Sequence, residues 1–134
     1  MKYAEARERI YRSWKTGWDN LTRFTLANEN FEPDENAWAR CTVQPRDSQQ
    51  DTLGPENNRS FKRTGVVFIQ LFTPVHKGTK EMGALVERVL EIFEGKRIAG
   101  TTICFQSALP KPATVEGVWY NSTVEIVFTY YEVK

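Results

Sequence analysis

Residues 65–73, GVVFIQLFT, set the first constraint on this chain. Val66, Val67, Phe68, Ile69, Leu71 and Phe72 follow one another with hardly a polar break. A strand with one wet face alternates apolar and polar residues. A nearly continuous run needs cover on both faces, so it belongs at the centre of a sheet or beneath a partner. The remaining segments must supply that cover.

Two stretches have helical spacing. In residues 2–19, Tyr3, Ile10, Trp14 and Trp18 share one face, and Glu5 with Arg9 and Glu8 with Arg12 place acid four residues before base. Trp14 and Trp18 read as packing against a sheet. The second helix follows Pro74 and Gly78, with Thr79 at its cap, and it carries the stripe Met82, Leu85, Val86, Val89, Phe93. Gly95 stands where a helix end favours a left-handed residue. Strands are expected at 21–28, at 37–45 with Ala39, Cys41 and Val43 on one face, at 101–106, and at 118–131 with Val124, Ile126 and Phe128 inward. Clustered strands between few helices give α+β: a mainly antiparallel sheet packed against two helices. With 134 residues the chain reads as one domain, 1–134, large enough to hold a core without disulfide or metal.

Between the second and third strands lies the polar arm 47–64, DSQQDTLGPENNRSFKRT, whose only large apolar residues are Leu53 and Phe61. Connections beyond about 12–15 residues are usually functional or disordered. Ordering this one costs on the order of 20–35 kcal/mol of chain entropy, against about 3–6 kcal/mol from burying both apolar side chains. Three states remain open: disorder, a hairpin extending the flanking strands, or ordering on a partner. Arg46, Leu53, Arg59, Phe61, Lys62 and Arg63 are the candidate contacts. Trp38, Phe72, Trp119 and Tyr131 are candidates on the sheet, with core burial the competing reading of each.

The chain offers little for catalysis. His76 is its only histidine and sits in a turn; Cys41 and Cys104 lack metal-ligand spacing and read as reduced, buried thiols. No phosphate loop or nucleophile elbow is present, so neither an enzyme nor a cofactor is expected. Eighteen Lys and Arg against 17 Asp and Glu leave no basic excess for nucleic acid or anionic membrane. No apolar run reaches about 18 residues, so no membrane span is expected. The N-terminal stretch alternates charge with apolar residues, unlike a signal peptide.

The order of these segments resembles the tail-terminator proteins of long-tailed bacteriophages and their prophage relatives. The likeness spans nearly the whole chain. It rests on the first helix, on Asn30-Phe31-Glu32-Pro33 followed by Trp38-Ala39-Arg40-Cys41-Thr42-Val43, and on the polar stretch to Arg63-Thr64-Gly65. Phe72-Thr73-Pro74, the helix closing at Ile92-Phe93-Glu94-Gly95, Ile103-Cys104-Phe105 and the strand from Gly117-Val118-Trp119-Tyr120 complete it. The resemblance implies a protein of the virion, at the head-proximal end of the tail and assembled in the host cytoplasm. It implies a ring, typically a hexamer, that ends tube growth and joins the head, with the tube protein, the head–tail connector and further copies of itself as partners. In that family the hairpin looks toward neighbours or the tube. The alternatives are another neck or tail-completion protein, or a monomeric nucleic-acid-binding module using Arg59, Phe61, Lys62 and Arg63.

Overall fold

A computed structural model describes residues 1–134. The apolar run forms the middle of β3 (Ser60–Pro74), which lies between β2 (Trp38–Gln50) and β6 (Trp119–Val133) in a six-stranded sheet. The order is β1–β2–β3–β6–β4, with β1 (Arg23–Leu26) and β4 (Cys104–Pro110) at the edges and the short β5 (Thr114–Glu116) beside the start of β6. Every pairing is antiparallel except that of β1 with β2. Two helices, α1 (Tyr3–Trp18) and α2 (Lys80–Phe93), pack on one face, giving the α+β architecture expected from the segment pattern.

The period-2 residues of three strands build the core beneath the helices. Ala39, Cys41 and Val43, then Val67, Ile69 and Leu71, then Val124, Ile126 and Phe128 all belong to one buried cluster. Ile10, Trp14 and Trp18 of α1 and Met82, Leu85, Val89 and Phe93 of α2 close it. A large apolar side chain buried there contributes about 1.5–3 kcal/mol. The i,i+4 spacing of Trp14 and Trp18 lets their rings stack at 4.5 Å, and Phe93 lies parallel to Trp14 at 6.4 Å. The helices touch at Gly17, where a Cβ would stand 2.7 Å from Ile92 Cγ1. Gly65 serves the sheet similarly: a Cβ there would meet the Phe128 ring and lie 2.7 Å from the Gln44 carbonyl oxygen.

On the helix-free face an aromatic cluster covers the Phe72 end of β3. Phe72 stacks on Trp38 at 4.0 Å, Phe31 covers Trp38 at 4.9 Å, and Trp119 meets it edge-on at 6.1 Å. Trp38 and Phe72 are therefore internal rather than contact residues, and the Trp38 indole N–H is buried without a partner.

Several local expectations change. The first strand keeps only Arg23–Leu26, and Thr25 is buried, because its hydroxyl bonds the Leu26 carbonyl and the Glu29 carboxylate. The fourth strand starts at Cys104 instead of residue 101, since Thr101 and Thr102 serve as hydroxyl caps. Thr79 stands at the α2 N-cap but makes no side-chain capping bond. Glu8–Arg12 forms an ion pair at 3.4 Å, whereas Glu5–Arg9 forms none. Cys104 is half-buried, not fully buried. Gly95 adopts φ +70° just past the end of α2, the left-handed stop its position predicts.

Candidate functional site

The arm is a continuation of the sheet. Residues 47–50 pair with 61–64, and β6 runs alongside as a third strand as far as Val133, opposite Ser60. The register of β2 and β3 is already set by the core, so each added pair extends a ladder without a new nucleus. That is the term missing from a balance of entropy against apolar burial, and it selects the hairpin among the three open states.

The candidate residues divide sharply. Arg63 turns inward: its guanidinium reaches Glu132 at 3.2 Å and also donates to the Ser48 hydroxyl, with the two charged side chains 22% and 15% exposed. Phe61 is half-buried between the Arg63 and Lys134 cations, at 5.2 and 5.9 Å from its ring. Arg59 is committed to the tip: its backbone exchanges hydrogen bonds with Lys134, and its Nε donates to the Gly54 carbonyl at 2.9 Å. Lys62 is half-buried, with Tyr131 opposite it in the register. Arg46 is exposed at the β-bulge between Pro45 and Asp47. Leu53 is 93% exposed at the tip.

The tip, 51–59, holds its own shape. The Asp51 and Thr52 N–H groups donate to the Ser60 carbonyl, the Ser60 N–H donates to Thr52 Oγ1, and the Gln50 side-chain amide donates to the Thr52 carbonyl. These bonds, with Asn58 N–H to the Pro55 carbonyl and the Arg59–Lys134 exchange, anchor the two ends of the tip, while Leu53 and Gly54 N–H stay open at its apex.

The two rims of the sheet are guarded differently. On the β6 side, the Thr102 hydroxyl accepts the Tyr131 N–H at 2.9 Å and donates to its carbonyl. On the β2 side, β1 covers only Trp38–Cys41, and the Val43 N–H is taken by the Tyr11 hydroxyl. By ladder alternation Pro45 turns the same way and has no N–H to offer. The bulge follows, and the Asp47 carboxylate caps the Ser48 N–H at 2.8 Å. Proline, a bulge and charge are the devices that stop an edge pairing with another chain.

Between α1 and this rim runs an open groove of about 740 Å³. Ala4, Tyr11, Leu26, Ala27 and Val43 give it an apolar floor. Arg7, Arg12 and Lys15 line it against Glu8 and Glu29. Glu8 is paired with Arg12, and Glu29 accepts the Leu26 N–H, so Arg7 and Lys15 have no carboxylate partner. Glu132, Lys134, Ser48 and this groove escaped the sequence reading; the one available signal was the period-2 pattern of the last strand running on through Tyr130 and Glu132.

Burial pushes the Cys41 thiol far above its ordinary range. His76 is exposed in a turn at φ +67°, and no three His, Cys, Asp or Glu side chains gather as metal ligands. No helix is long and apolar enough to cross a membrane.

A family model described as "Phage tail terminator protein" matches residues 9–128. No curated protein sequence matches the chain. A solved structure that bears no descriptive name aligns over 96% of this chain and 95% of its own, with a TM-score of 0.62 and 16% identity, a likeness that speaks for the fold alone.

Proposed function

The chain belongs to the phage tail terminator family, and from that premise we propose that it forms a ring on the end of the tail tube, stops addition of tube subunits and presents the surface to which the head joins. Residues 1–134 act in this as one domain, with a structural role and no catalysis. The partners are further copies of the chain, a hexamer being favoured, together with the tube protein and the head–tail connector. The place of action is the head-proximal end of the tail, reached by assembly in the host cytoplasm.

The observation that carries this reading is the arm. It stands ordered without a partner, held by a ladder and the Arg63–Glu132 pair, and presents Arg46, Leu53 and Lys62 beyond the core. A preformed projection of this kind loses little entropy when it docks, which favours a contact role over a passive loop.

The test is tube growth from purified tube protein, with lengths measured by electron microscopy. The intact chain arrests growth at substoichiometric amounts. A variant with residues 48–62 replaced by Asn-Gly keeps its circular dichroism and its cooperative melt but no longer arrests growth. Normal arrest by that variant removes the arm from the mechanism; failure of the intact chain removes the capping role.

A further inference from the structure

We propose that the arm tip of one copy seats in the groove between α1 and the β2 rim of the next copy, with Leu53 on the groove's apolar floor. This rests on the ring reading and names the contact that builds it. Leu53 is the most exposed large apolar residue of the chain, at 93%, on a loop whose ends are anchored by hydrogen bonds. The tip carries Asp51 and Glu56, neither of them in an ion pair, with Arg59 folded back on Gly54. The groove carries Arg7, which lies over the Tyr3 ring, and Lys15, both without a carboxylate partner, around an apolar floor. Charge and apolarity thus match in kind and arrangement, acid around a leucine against base around alanines, leucine and valine.

The occupant is a second copy because the chain cannot reach its own groove. Val43 lines the groove, and the extended strand from there to Gln50 carries the tip about 23 Å away at ~3.3 Å per residue. A tip on one copy and a groove on another make a head-to-tail contact, and such contacts close into a ring when the rotation permits. Each copy then offers one tip and one groove, and in a closed ring none is left unfilled.

The experiment is a charge exchange read by light scattering on size-exclusion fractions, over a wide concentration range. The tip variant is Asp51→Lys with Glu56→Lys; the groove variant is Arg7→Glu with Lys15→Glu. All four positions are exposed, and thermal melts confirm that each variant folds. The intact chain gives a discrete oligomer. Each double variant raises the concentration at half-assembly at least tenfold, and the chain carrying both exchanges returns to within about threefold of the original. Leu53→Asp weakens assembly without rescue by the groove exchange. A monomer at all concentrations, an oligomer indifferent to the tip exchange, or no recovery in the combined variant overturns the docking. Tube arrest measured on the same preparations keeps the two ideas apart: arrest without sensitivity to either exchange loses the docking and retains the capping role.

Discussion

Cys41 brings an ionisable thiol into the middle of the core, where desolvation holds the proton on it. Below about pH 8.5 the thiol is protonated in both folded and unfolded chains, so stability is full there. Above that pH only the unfolded chain releases the proton, and unfolding free energy falls by about 1.4 kcal/mol per pH unit from this group. Denaturant titrations at pH 8.5 and 9.5 therefore differ by about 1 kcal/mol more for the intact chain than for Cys41→Ala. Equal differences would show that Cys41 does not carry the slope. The interior position of Cys41 is legible in sequence, from its alternation with Ala39 and Val43. The role of Arg63 is not, because its partner Glu132 lies 69 residues away and is brought diagonally across only by the register of β6. Composition sees bases in a charge-balanced polar arm; register turns one of them into an internal strut. Trp38 follows the same logic, since Phe31, Phe72 and Trp119 converge on it from three separate segments.

At the scale of elements, patterning locates what the core demands and falls short where strands run beyond it. The apolar parts of β2, β3 and β6 are plain, but all three continue into polar sequence that pairs as well as apolar sequence does. β5 carries too little pattern to stand out, and β4 is displaced by threonine caps that look like strand residues. The arm, lying outside the core, belongs to the low-stability end of the molecule. Amides of 47–50 and 61–64 are expected to exchange with solvent faster than those of Val67 and Ile69, yet slower than those of the free tip at Gly54. Arg63→Ala removes a strut worth about 1 kcal/mol and should speed arm exchange roughly fivefold while leaving the core rates unchanged. Core rates that rise in parallel would mean the arm is cooperative with the whole fold.

At the scale of the whole molecule, the fold divides its labour. The helices seal one sheet face, the aromatic cluster covers part of the other, and the arm projects beyond both. The guarded β2 rim adds a consequence concerning identity. Backbone hydrogen bonding is the same for every protein, so an open strand edge would accept the subunits of an unrelated virus sharing the same cell. With Pro45, the bulge and the Asp47 cap closing that route, the recognition between copies proposed above would pass through side chains. In the proposed ring, self and foreign subunits would then be told apart and hybrids avoided. Mixing this chain with a family member whose tip and groove charges are reversed should give only the two parent assemblies by native mass spectrometry; a statistical mixture would show that the rim, for all its devices, is blind to origin.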